Sequence, residues 1–266
     1  RFMIPMQPFG FCSWRVEMLI FVNILVSVLG AVFAFYASYK IVSQFHQEKK
    51  PKSQKLITFL FLSSSFLTFC LNAVWAGYSC IISLSPPLMR LIWLLYLAVF
   101  GLQSFTLLII FFMQLTAIFI NTRFRLSHKT QLIFKSSFVL LPLWAVLGIA
   151  LIGMRVISNL TASIFISLFL LFYVALCISM VSMFCRKLVH LYIGQVVGDE
   201  SLIHACTKAV VLTSCSVIAT FVNLVTSACY HNLTDSPWFE WSMAIAQFVA
   251  SVDLLTNVLC VIMFYS

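Results

Sequence analysis

Asp253 and Asn257 stand four residues apart in the last long apolar stretch of the 266-residue chain, so a helix there places the carboxylate and the amide on one face. At ~1.5 Å per residue Asp253 lies roughly 18–22 Å from either edge of that stretch, the centre of a ~30 Å hydrocarbon layer. Insertion scales charge about 2.5–3.5 kcal/mol for an ionised Asp at that depth, so the side chain has to face a protein interior or a water pocket. Two chemistries suit the pair: a polar glue that ties the helix to its neighbours, or a switch whose partners change. Catalysis is poorly served. His46, His128, His190 and His204 show no His-x-x-x-His spacing, no Ser-His-Asp set assembles from neighbours, and the nine cysteines contain no Cys-x-x-Cys. The expectation is a protein that is not an enzyme and uses neither metal nor cofactor.

The elements that position these residues follow from composition. With 62% hydrophobic and 9% charged residues the chain is far from a soluble domain, where roughly 25% are charged. Apolar runs of 20 residues or more without alternation read as membrane-spanning helices rather than barrel strands. They fall at about 16–43, 56–84, 88–120, 132–154, 160–185, 205–229 and 238–265, predicting one all-α domain of seven transmembrane helices. Six of the seven prolines lie between the runs, and only Pro142 lies inside one. Cys70, Cys177, Cys185, Cys206, Cys215 and Cys260 lie in or beside the runs and read as small packing residues. No internal repeat relates the first three spans to the last three.

Twelve of the 16 basic residues follow spans one, three and five: Lys40, Lys49, Lys50, Lys52, Lys55, Arg123, Arg125, Lys129, Lys135, Arg186, Lys187 and Lys208. Arg1, Arg15, Arg90 and Arg155 lie on the other side, so the positive-inside rule puts the N-terminus outside and the C-terminus in the cytosol. Two glycosylation sequons, Asn159-Leu-Thr and Asn232-Leu-Thr, fall on the side read as outside. Cys12, Cys80 and Cys229 are expected near that outer surface, where sequence does not decide between a bridge and free thiols. The net charge of +9 is therefore a membrane-sidedness signal and not a mark of nucleic-acid binding.

Seven spans, an outer N-terminus, short links and a basic cytosolic face resemble the rhodopsin-like receptors that couple to G proteins. Arg123, with Thr122 before it and Phe124 after it, is similar to that family's Asp-Arg-Tyr motif at the end of the third span. Asp253-Leu-Leu-Thr-Asn257 resembles its Asn/Asp-Pro-x-x-Tyr stretch, with Leu254 in place of the proline and Asn257 in place of the tyrosine. The resemblance implies a switch at Asp253 and Asn257, and a heterotrimeric G protein facing Arg123, Arg125, Arg186, Lys187 and Lys208. It also implies an outer pocket near Phe105, Thr106, Ile109, Phe221, Met243 and Gln247, suited to a small, mostly apolar extracellular ligand. The family's second-span acid is missing; Ser64 or Thr68 is expected nearest the depth of Asp253. Asn23, followed by Val26, is similar to the first-span Asn, but at about seven residues from the outer end it is read as too shallow for that role.

Other classes stay open. A small transporter or channel would line its path with Asp253, Asn223 and Gln103, although the Pro-Gln pair of the sugar transporters of the SWEET type does not occur. An accessory subunit of a membrane complex would read much the same. A microbial-type retinal protein would need a lysine in the last span, and none follows Lys208. The expected setting is the lipid bilayer, multi-pass, in the plasma membrane.

Overall fold

A peptide chain in hydrocarbon has no water to satisfy its N–H and C=O groups, so an apolar run bonds within itself as a helix. The computed structural model describes residues 14–47, 52–80, 86–119, 126–153, 159–193, 200–232 and 239–265. They form seven helices: α1 (Trp14–Gln47), α2 (Lys52–Cys80), α3 (Pro86–Phe119), α4 (His128–Gly153), α5 (Asn159–Ile193), α6 (Glu200–Asn232) and α7 (Phe239–Tyr265). Each contains a stretch apolar enough to cross a bilayer; the shortest, Leu171–Val189, has 19 residues, or about 28 Å of helix. The chain is a multi-pass membrane protein built as an all-α seven-helix bundle.

Several helices overrun the expected spans. Residues 16–43 become Trp14–Gln47, 160–185 becomes Asn159–Ile193, and 205–229 becomes Glu200–Asn232. Hydropathy marks the hydrocarbon slab, whereas the helix ends where its hydrogen bonding ends, so polar residues such as Arg186 and Lys187 continue the helix past the apolar run. At the start of α4, Ser127 caps the helix, its hydroxyl accepting the Thr130 N–H at 3.1 Å. Pro142 is accommodated inside α4, where its missing N–H leaves the Phe138 carbonyl without its usual helix donor.

Each helix packs on the next in sequence and α7 returns to α1, closing a ring. The third helix fills the middle, touching α2, α4, α5, α6 and α7. Its sequence is apolar all round, as a central helix requires: Thr106, Leu107, Leu108, Ile110, Phe111 and Phe112 are all buried. By contrast α1 is two-faced. Val16, Ile20, Asn23, Ser27, Ala31, Ala34, Ala37 and Ile41 are buried at three- and four-residue steps, while Phe21, Leu25, Val32, Phe35 and Tyr39 point outward. The sense is the reverse of a soluble helix, with the large apolar side chains toward lipid and the small or polar ones toward the bundle. Small side chains let the backbones approach closely. At Gly30 even a Cβ would stand 2.5 Å from the ring of fully buried Phe69.

Candidate functional site

The polar side chains of α6 and α7 occur at helical spacing on facing stripes. On α7 these are Asp253 and Asn257; on α6 they are Ser216, Thr220 and Asn223. All five are buried. Asp253, 1% exposed, receives three hydrogen bonds from neutral donors: Thr220 Oγ1 and Asn257 Nδ2 to Oδ1, and Asn223 Nδ2 to Oδ2, each 2.9 Å. Ser216 Oγ in turn donates to Asn257 Oδ1 at 2.5 Å. A carboxylate away from water is held only when its lone pairs are met. Here α6 meets them from one side and Asn257 from its own helix.

A second cluster lies half a turn before Asp253 and joins α7 to α1 and α2. The Ser251 hydroxyl donates to Asn23 Oδ1 at 2.6 Å and accepts from Asn72 Nδ2 at 2.6 Å. Asn72 also donates to Ser27 Oγ at 3.2 Å, and the Ser27 and Ser251 hydroxyls lie 3.0 Å apart. Asn23, read as shallow, is fully buried and bonded to two other helices. Asn23 is nine residues from the start of α1 and Asn72 eight from the end of α2, so at ~1.5 Å per residue both lie about 12–14 Å from the same end of the bundle. Their polar layer sits above Asp253, not level with it. Ser64 and Thr68 donate to carbonyls of their own helix, those of Phe61 and Ser64, and Asn72 supplies the contact from α2 to α7. Sequence held a signal for this cluster: Asn23 and Ser27 share the stripe carrying Gly30, Ala31 and Ala34, the small residues that mark a helix contact.

Several buried polar atoms have no protein partner among the described residues. Both amide atoms of Gln103 and of Gln247, Asn223 Oδ1 and Asn23 Nδ2 are of this kind. Leaving such a group unbonded costs about 1–3 kcal/mol, so these atoms favour a water or a polar solute beside them. They come from α3, α6, α7 and α1.

The other expected pocket residues separate. Phe105 is half-buried, its ring edge-on to Phe138 at 6.4 Å, and Ile109 packs against the core. Thr106 turns its hydroxyl to the Leu102 and Gln103 carbonyls. Gln247 is buried in the bundle. Phe221 is 52% exposed and points outward, while Thr220 beside it points in. The Met243 side chain lies outside the described residues.

Of the basic residues, Arg123 and Arg125 also lie outside the described residues. Arg186 is exposed and Lys187 and Lys208 half-buried, near the end of α5 and the start of α6, the bundle end that also carries Lys40, Lys55, Lys129 and Lys135. Asn159 opens α5 and Asn232 closes α6 at the opposite end. Cys80 and Cys229 belong to that end too, their side chains outside the described residues, as is Cys12. Buried Cys177, Cys206 and Cys260 are free thiols in the packing, and Cys215 is exposed. Among the described residues no group of three His, Cys, Asp or Glu side chains gathers to hold a metal ion. No protein-family model and no curated protein matches the chain.

Proposed function

We propose that the chain is a receptor that takes a small, mostly apolar ligand from the outer side and signals through a G protein at its basic end. One observation carries this reading: α7 is tied in two directions, to α6 through Asp253 and Asn257 and to α1 and α2 through Ser251. The Ser251 bonds hold α7 to α1 and α2, while the bonds from α6 to Asp253 and Asn257 can exchange partners, so a ligand that prefers one arrangement of α6 against α7 shifts the balance. Phe105, Thr106, Ile109 and Gln247 supply the candidate ligand contacts, and Arg123, Arg125, Arg186, Lys187 and Lys208 the candidate transducer face. The orientation is that of the lysine and arginine bias, with the C-terminus in the cytosol of a plasma-membrane protein and Asn159 and Asn232 glycosylated outside.

The test is nucleotide exchange on a panel of G proteins, with the chain in lipid and with Arg123→Ala and Asp253→Asn as paired variants. Asp253→Asn keeps the side chain's shape, and Asn223 can turn its unpartnered Oδ1 toward the new amide, so the variant is expected to fold. Exchange that Arg123→Ala abolishes and Asp253→Asn alters several-fold supports the receptor. Exchange no greater than that of empty membranes across the panel counts against it. The unpartnered amides of Gln103 and Gln247 favour a second reading, a solute path through the bundle. Liposomes that accumulate a solute in a manner dependent on Asp253 would replace the first reading with this one.

A further inference from the structure

The fourth helix touches only α3 and α5 among the described residues, and the three helices flank a partly open cavity of about 200 Å³. Gly101 and Ser104 line it from α3, Pro142 and Ala145 from α4, Tyr173 from α5, and Thr220 from α6. An independent observation agrees that the space is open: a Cβ added at Gly101 meets no atom within 4 Å. Leu102 and Val146 also line it, 45% and 66% exposed, so its rim is continuous with the lipid-facing surface of the bundle.

The walls are almost wholly hydrocarbon, and the polar groups are neutral. Thr220 gives its hydroxyl hydrogen to Asp253 but keeps its own lone pairs. The buried Tyr173 hydroxyl reaches the Ser104 carbonyl only at 3.5 Å, the limit for such a bond, and otherwise hydrogen-bonds the Cys177 thiol, a weak acceptor. An oxygen acceptor placed beside Tyr173 would win that hydrogen. A charged head group cannot follow it, because Gly101 and Thr220 both lie inside apolar spans, where charge is expelled. As to size, an apolar cavity of about 150 Å³ takes benzene, so this one holds one substituted ring, and a second ring can extend through its open rim.

We infer that the cleft between α3, α4 and α5 is a binding site for a neutral lipophile of one or two rings, bearing one hydrogen-bond-accepting oxygen, that enters sideways from the hydrocarbon layer. The site shares Phe105 with the candidate ligand contacts above but rests on the cavity and on Tyr173, not on the receptor reading. Its occupant sits beside Thr220, one hydrogen bond from Asp253.

Benzophenone is a direct probe, being neutral, aromatic, carbonyl-bearing and photoreactive toward C–H bonds. The chain in phosphatidylcholine nanodiscs is irradiated over a range of benzophenone concentrations and the adducts are mapped by mass spectrometry. Adducts within 101–105, 141–146 and 169–173 are expected to saturate, while those on the lipid face of α1 around Phe21 and Phe35 rise in proportion to probe. Gly101→Phe, which fills the cavity, should lower the saturable adducts roughly tenfold, and Gly101→Ala should leave them. Tyr173→Phe, losing one neutral hydrogen bond, should raise the half-saturating concentration roughly threefold or more. Ala145→Phe fills the same space from α4 should Gly101→Phe not fold. Adducts that rise linearly on every helix, or saturable adducts that survive a folded cavity-filling variant, overturn the site.

Discussion

Where α1, α2 and α7 meet, four polar side chains on three helices are joined by hydrogen bonds of 2.6–3.4 Å, and the backbone at Gly30 lies against the ring of Phe69. Where α3, α4 and α5 meet, the contact is made by rings: Phe112 lies 5.3 Å from Phe138 and 5.4 Å from Phe134, and Trp144 5.5 Å from Phe165. A cavity remains between them. Lipid is as apolar as a leucine side chain, so burial in the bundle gives little drive for helices to associate, and packing and hydrogen bonds must do so. Hydrogen bonds fix a register, because a slip of one residue breaks them. Rings fill space with more tolerance. The first region is therefore the frame of the bundle and the second its adjustable side.

Three substitutions test that contrast, with stability followed by detergent-driven unfolding in mixed micelles. Gly30→Leu forces a side chain into the ring of Phe69 and should cost about 3 kcal/mol, at the upper end for overpacking. A loss below about 1 kcal/mol would mean that α1 and α2 can part without penalty, and the frame would lose its basis. Asn72→Leu deletes the donor shared by Ser251 and Ser27 and should cost about 2 kcal/mol, since interhelical bonds in lipid contribute ~0.6–1.7 kcal/mol each. Phe138→Leu on the ring side removes three carbons where the neighbouring rings can close in, and should cost only about 1 kcal/mol. Should Phe138→Leu prove more damaging than Asn72→Leu, the assignment of frame and adjustable side is inverted.

The seven helices were legible because an apolar run of that length has one way to satisfy its backbone. Their ends were less so, since Glu200 to Ile203 and Leu188 to Ile193 extend helices through residues that hydropathy alone reads as links. Asp253 stood out by its cost at mid-membrane, and its neighbour Asn257 by the four-residue step. Its partners on α6 did not, because Thr220 and Asn223 are neutral and such residues occur on every span. Asn23 was set aside on its distance from the outer end; it does lie in a shallower layer than Asp253, but the bundle carries two polar layers, and Ser251 ties Asn23 into the upper one. Phe221 and Thr220 show the remaining limit, for a shift of one residue around a helix exchanges the lipid for the interior.

The bond between Ser251 and Asn23 spans 228 residues of sequence. Synthesis at about 5–20 residues per second leaves roughly 10–50 s between the emergence of α1 and that of α7. Throughout that interval Asn23 and Asn72 have only each other and Ser27 inside the membrane, at 3.2–3.4 Å, the longer of their bonds. The seventh helix is thus the one that completes the first two, and a nascent chain halted before Ser251 presents an unfinished polar face to whatever escorts it during insertion.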